Sequence, residues 1–280
     1  MTVTLENGFL KQQLAAQSSA TASAVKLVIV NLMPNKLETE RQFVNLLAAL
    51  SQDVRVTFAR MATHQSRHTD EAALQAHYVT LDDIFYQDFD GLIVTGAPVE
   101  TLAFAHVDYW AEFQAWLDWR DQHVDQTIFE CWAAQAALFV DAGIEKQVTA
   151  QKVFGVYRSQ VVANTPLTTG LATVSMPQSR HATLPEPDTS SITTLVEDGQ
   201  AGPIVLSNPA KRSLYISGHP EYETETLINE FRRDQKKGQA IQLPKNYFAA
   251  ACPVNTWRQD SVKLYNNWLS QVRTHTLANL

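Results

Sequence analysis

Two cysteines in 280 residues, Cys131 and Cys252, are too few for a disulfide scaffold, and in a reducing compartment both are expected as free thiols. Basic residues are scarce as well: 22 Lys and Arg stand against 29 Asp and Glu, a formal net charge of −7. That balance argues against a nucleic-acid or anionic-membrane surface, since both need concentrated cations. No apolar run approaches membrane-spanning length, and the first residues lack the basic start and apolar stretch of a secretion signal. A cytoplasmic location with no membrane and no nucleic-acid partner is expected. The chain also has no Gly-rich phosphate loop, no internal repeat, no low-complexity linker and no His, Cys or Asp cluster with metal-ligand spacing. Neither a metal nor a bound cofactor is expected.

What is present is 45% apolar residues, enough for a large core in one α/β domain. Residues 1–24, rich in Ala, Ser, Gln and Thr, read as a weakly structured arm, and 25–280 as the single domain. Residues 25–32 form a continuous apolar run, the pattern of a strand buried on both faces of a parallel sheet. A helix from about Glu38, with Phe43, Leu46, Leu47 and Leu50 on one stripe, and a strand over 54–58 complete a βαβ unit. The grammar repeats in a strand over 90–96, a helix over 109–120 and a strand over 128–130. This alternation predicts a doubly wound, mostly parallel sheet. The second half is more irregular, with β-rich stretches over 153–162, 192–195, 204–206 and 214–217 and helices near 226–237 and 261–272. In such folds ligands gather at the carboxyl ends of strands, where Asn31-Leu32-Met33-Pro34, Gly96-Ala97-Pro98 and Cys131 all fall.

Cys131 closes the strand-like run Thr127-Ile128-Phe129-Glu130 and opens the Ala-rich helical run that starts at Trp132. An apolar strand turning abruptly into a helix at a cysteine is a nucleophile elbow, which lifts the side chain above the sheet edge and aims a helix N-terminus at the sulfur. A base is needed, and among eight histidines His219 is the best placed, at the end of the strand in Leu214-Tyr215-Ile216-Ser217-Gly218-His219-Pro220-Glu221. Pro220 biases His219 toward extended geometry, where residues two apart share a side, so Glu221 faces the same way as the imidazole. Cysteine, histidine and carboxylate then fill the three roles of a triad.

At this point the residues resemble a family. Asn31-Leu32-Met33-Pro34-Asn35-Lys36-Leu37-Glu38-Thr39-Glu40, Gly96-Ala97-Pro98-Val99-Glu100, Val107-Asp108-Tyr109-Trp110, Cys131-Trp132-Ala133-Ala134-Gln135-Ala136, Pro177-Gln178-Ser179-Arg180 and Gly218-His219-Pro220-Glu221-Tyr222 closely resemble the homoserine O-acyltransferases of the homoserine trans-succinylase family. The resemblance runs from about Lys26 to the end of the chain. It implies a class I glutamine-amidotransferase-like (flavodoxin-like) fold, a homodimer, and a catalytic triad at Cys131, His219 and Glu221. It further implies an active-site role for Lys36, a substrate-carboxylate site at Arg233, and substrate contacts from Lys152 and Ser179. The chemistry that follows is ping-pong transfer from an acyl-CoA co-substrate through an acyl-cysteine, with the oxyanion held by the Trp132 N–H and the Gly96-Ala97 turn.

Glu100 bears on the donor. The resemblance associates Glu at this position with acetyl-CoA and Gly with succinyl-CoA, and a carboxylate there would repel the free carboxylate of a succinyl group. Departures bear on the acceptor: Gln178 and Ser159 replace family histidines, the segment over 246–253 is shortened, and residues 1–24 replace the usual N-terminal segment. One methylene separates serine from homoserine, worth only about 1–3 kcal/mol of discrimination. The expected acceptor on these departures is L-serine, in cysteine biosynthesis, with L-homoserine, in methionine biosynthesis, as the alternative. A cysteine hydrolase or amidotransferase, or a non-catalytic binding protein, are the rival classes.

Overall fold

The computed structural model describes residues 2–14, 23–66 and 69–278. The chain opens with β1 (Val3–Leu5) and α1 (Lys11–Leu14), then β2 (Val25–Val30), α2 (Lys36–Ala48) and β3 (Val54–Ala59). Two short helices, α3 (Glu71–His77) and α4 (Leu81–Ile84), lead to β4 (Phe89–Val94), α5 (Trp110–His123), β5 (Val124–Glu130) and α6 (Trp132–Ala142). The remainder comprises β6 (Gln147–Val161), β7 (Thr173–Thr183), β8 (Thr193–Asp198), β9 (Gly202–Asn208), β10 (Ser213–Ile216), α7 (Thr226–Lys236), the hairpin β11 (Phe248–Ala249) and β12 (Cys252–Pro253), and α8 (Arg258–Ala278).

Ten strands form one sheet in the order β1-β3-β2-β4-β5-β10-β9-β8-β6-β7. From β1 to β10 all neighbours are parallel; from β10 to β7 all are antiparallel. The parallel part follows from the sequence pattern. Successive strand side chains face opposite sides, so Leu27 and Ile29 join Phe43 and Leu46 of α2 and Trp268 of α8 in one core layer. Val28 and Val30 join Trp116 of α5 and Leu138 of α6 in the other. Burying each such side chain contributes roughly 1.5–3 kcal/mol. A third cluster, with Phe154, Tyr222, Leu227, Tyr247 and Trp257, packs α7 and the hairpin region against β6. Among the described residues no helix is long and apolar enough to cross a membrane.

Two expectations need correction. Residues 2–10 are not a loosely docked arm: Val3–Leu5 pairs in parallel with β3 at the sheet edge, and buried Glu40 accepts the N–H groups of Phe9 and Leu10 at 3.0 and 2.9 Å. A three-residue strand is too short to show periodicity, and its partner lies some fifty positions downstream. Residues 15–22 of that arm lie outside the described residues. The second correction concerns β7, which passes without a strand signal because Pro177 interrupts it; it nonetheless pairs with β6 from Thr173 to Thr183 as the outermost strand, where proline is tolerated.

Candidate active site

Cys131 caps the N-terminus of α6 with φ +49° and ψ −115°, a backbone conformation suited to glycine. Its surroundings enforce it. The Cys131 N–H donates to Ile216 O at 2.7 Å, and α6 presents fully buried Ala133, Ala134, Ala136 and Ala137, whose small side chains let it pack closely. Gly96, just past the end of β4, closes on the elbow: a β-carbon there would lie 3.0 Å from Cβ of Cys131 and 3.0 Å from Cε1 of His219. A side chain there would push both residues of the pair outward by a few tenths of an ångström. Thr95 Oγ1 accepts the Leu32 N–H at 2.8 Å and donates to Gly96 O at 3.1 Å, tying the ends of β2 and β4 together at the elbow.

His219 follows β10 through Gly218, where a β-carbon would come within 2.5 Å of Pro177 O. The His219 N–H donates to that same carbonyl at 3.0 Å. The imidazole lies beside Cys131, both flanking Gly96 and close enough for the sulfur to act on its titration; its Nδ1 lies 2.9 Å from Glu221 Oε1, and its face stacks on Tyr222 at 4.2 Å between centroids. Cys131, His219 and Glu221 are therefore brought together, and all three are buried. Burial disfavours the charged imidazole, but the influence of the nearby Cys131 sulfur outweighs it and raises the His219 pKa. Burial also raises the Glu221 carboxyl. The arrangement can hold a thiolate–imidazolium pair, the state from which a sulfur attacks a carbonyl carbon.

A polar array runs outward from this cluster. The Tyr222 hydroxyl donates to Glu230 Oε1 at 2.8 Å, and Ser179 Oγ donates to Glu230 Oε2 at 2.5 Å. Lys152 Nζ donates to Asp234 Oδ2 at 2.8 Å and stands 3.9 Å from Glu230, while Arg233 Nε donates to Asp234 Oδ1 at 2.8 Å with its side chain half-exposed. Burial works against the Asp234 carboxylate, yet the hydrogen bonds from Arg233 and Lys152 hold its pKa below the ordinary value. Arg233, Lys152 and Ser179 thus share one site. It offers an exposed guanidinium for a carboxylate and two carboxylates for an ammonium.

Lys36 and Glu100 stand apart from this array. Lys36, in the first turn of α2, donates from Nζ to Asn31 O at 2.6 Å, and burial followed by the Arg60 charge lowers its pKa to about 8. It lines a small cavity with Arg60, His64 and Tyr109, and the Tyr109 ring meets Trp132 edge-on at 5.6 Å. Its recorded partner is Asn31 rather than Cys131 or His219. Glu100 is partly exposed on the turn begun by Gly96 and lies close enough to Lys146 to favour that ammonium. The Trp132 N–H opens α6 beside the sulfur, and Ala97 is buried next to Gly96.

Several residues of the site escaped the sequence reading. Glu230 and Asp234 are one helical turn apart beside Arg233, an i, i+4 carboxylate pair that was a usable signal. Arg180 is fully buried and donates to Gln178 Oε1 at 2.8 Å and to the carbonyls of Ala182 and Ala201 at 2.5 and 2.6 Å. Burial lowers its pKa to about 10 against the opposing pull of the Cys131 sulfur, so it remains a cation at neutral pH. Glu130 was visible only as a carboxylate ending an apolar strand.

The sequence matches the homoserine O-succinyltransferase family over residues 2–277. It is 41% identical over 271 residues to a homoserine O-acetyltransferase of Leuconostoc mesenteroides, covering 96% of this chain and 88% of that protein. A homoserine O-acetyltransferase of Petrotoga mobilis is 39% identical, covering 88% and 82% of the two chains. One of Synechococcus elongatus is 41% identical, covering 88% and 86%. Among solved structures, glutamine amidotransferases of Methylobacillus flagellatus and Thermotoga maritima superpose with a TM-score of 0.59 each, at 12% and 11% identity. They cover 90% of this chain and 96% and 99% of their own. The fold is the class I glutamine-amidotransferase-like fold.

Proposed function

The chain belongs to the homoserine O-succinyltransferase family and is an acyltransferase, and from that premise we propose that it acetylates the side-chain hydroxyl of L-homoserine with acetyl-CoA. The single observation that carries the mechanism is the buried placement of the Cys131 sulfur, on its glycine-like elbow, beside the His219–Glu221 pair.

His219 takes the Cys131 proton and the thiolate attacks the acetyl carbonyl of acetyl-CoA. The oxyanion is held by the Trp132 N–H and the Gly96-Ala97 turn, which approaches the sulfur from the carboxyl end of the neighbouring parallel strand β4. The C–S bond to CoA breaks, CoA leaves with the proton from His219, and the acetyl group remains on Cys131. His219 then takes the proton of the acceptor hydroxyl, whose oxygen attacks the thioester; the ester forms and the sulfur is released. Glu221 stabilises the imidazolium in both halves. Arg233 receives the amino-acid carboxylate, while Glu230 and Asp234, with Ser179 and Lys152 arranged around them, suit its ammonium. Lys36 acts from the neighbouring strand end.

The acceptor favoured from the sequence departures, serine, gives way to homoserine. The relatives are named for homoserine, and the departures do not single out serine: Gln178 is buried with its amide oxygen on Arg180, and Ser159 is buried in β6 with no partner for its hydroxyl among the described residues. The acetyl donor is supported by those relatives' names and by the Glu100 carboxylate on the Gly96 turn, which would oppose a succinyl carboxylate. The expected homodimer and cytoplasmic location belong to the same proposal, the first tested by sedimentation equilibrium.

The test is CoA release measured with each pairing of acetyl-CoA or succinyl-CoA with homoserine or serine. Acetyl-CoA with homoserine is expected to give the highest kcat/KM. A higher value with serine, or CoA release at the same rate without any amino acid, would overturn this reading.

A further inference from the structure

Glu130 immediately precedes the nucleophile, is 0% exposed, and takes no part in the acyl transfer described above. It lies opposite Ile216 in the parallel pair of β5 and β10, the strand that leads into His219 and Glu221. Its Oε1 accepts a hydrogen bond from the Tyr265 hydroxyl of α8. Glu221 is arranged alike, with Oε1 at His219 Nδ1. On each carboxyl the second oxygen is buried, and no N–H or O–H donor of the described residues serves it. The two carboxyl groups lie close enough to act on each other electrostatically, and both unserved oxygens are buried.

Two adjacent buried carboxylates cannot both be ionised at moderate cost, so a proton lies between them. Glu221 faces the imidazole, whose positive charge favours the carboxylate; Glu130 has the Tyr265 hydroxyl to favour its charge, and burial outweighs that single donor. The proton therefore resides on Glu130. Burial, and after it the charge of Glu221, raise the Glu130 carboxyl well above the ordinary range.

We propose that Glu130 is a positioning residue of the transfer site: as a neutral acid it donates its O–H to the free oxygen of Glu221 and so fixes the Glu221 carboxylate on His219. The inference rests on the assignment of Cys131, His219 and Glu221 as the transfer triad. The proton stays on Glu130 throughout turnover. Tyr265 completes the line by holding the other Glu130 oxygen, so that Tyr265, Glu130, Glu221, His219 and Cys131 are linked in series.

The experiment compares Glu130→Gln, Glu130→Asp and Glu130→Ala with the parent protein in CoA release, separating kcat from KM. Gln has the shape of a protonated Glu and retains both a donor for Glu221 and an acceptor for Tyr265. It is expected to keep kcat within about threefold, whereas Asp, one methylene short, and Ala are expected to lower kcat roughly 10- to 100-fold with KM for acetyl-CoA unchanged. Gln as damaging as Ala, Asp better than Gln, or Ala with full kcat would each overturn the inference. Should the Ala variant fail to fold, the order of Gln and Asp alone decides. Cys131→Ala is run alongside: if it retains turnover, the triad assignment itself has failed; if it is inactive, the Glu130 series tests this inference alone.

Discussion

An ammonium sealed inside a protein costs free energy, and Lys36 is 6% exposed with Asn31 O as its acceptor. Its folded-state pKa of about 8 lies below the ordinary 10.5, so the unfolded chain binds more protons between those values and stability rises with pH across that window. Below pH 8 the folded state bears the full penalty, on the order of 3 kcal/mol for a shift of that size. Lys36→Met removes it and leaves Asn31 O without that donor, which costs about 1 kcal/mol back. The variant is expected to be more stable by roughly 1–2 kcal/mol in urea titrations at pH 7, to lose the rise above pH 8, and to turn over more slowly. A variant less stable at pH 7 would show that Lys36 serves the fold. Nothing in the sequence around Lys36 displays this burial. An amphipathic helix start looks the same whether its lysine meets solvent or a cavity, and only the family resemblance singled it out.

At the level of elements, the strands and helices with strong periods were legible and the short ones were not. β2 announces itself through five buried residues in six, and α6 through its alanines. The hairpin β11–β12 carries no such mark. Its two linking residues, Ala250 and Ala251, have φ of +47° and +66°, values at which Asn or Gly is usual, so the turn chemistry that would have disclosed it is missing. The same mismatch makes a prediction. Ala251→Gly relieves a left-handed alanine at an exposed position and is expected to stabilise the protein by about 0.5–1 kcal/mol, seen as a higher thermal midpoint. An unchanged or lower midpoint would mean that the added freedom of the unfolded glycine cancels the gain.

For the molecule as a whole, contacts between distant positions carried what the sequence could not display. The Cys131–His219–Glu221 cluster was legible because strand ends and an HPE spacing are local signals. The partners Tyr265, Glu230 and Arg180 reach it from α8, α7 and β7, and no local pattern pairs them. The N-terminal segment is the clearest case. Phe9 and Leu10 donate to Glu40, Tyr78 donates to Glu40 at 2.7 Å, and Asn31 Nδ2 donates to Tyr78 at 3.0 Å, which continues to Lys36. Deleting residues 2–10 strips Glu40 of two backbone donors and opens the edge of β3. We expect a net loss of roughly 2–4 kcal/mol in denaturant titrations: two charge-assisted hydrogen bonds and the burial of Leu5 and Leu10 are lost, largely offset by the conformational freedom these residues no longer give up. A truncated chain of undiminished stability would contradict that accounting.

The backbone at Cys131 leaves this protein exposed to evolutionary drift. At φ +49° and ψ −115°, glycine is the residue that fits without strain, so a change to glycine would ease the main chain at the cost of the sulfur. Such a lineage would keep a well-formed fold with its chemistry gone. Under the proposed mechanism, the cysteine at this corner serves turnover rather than foldedness.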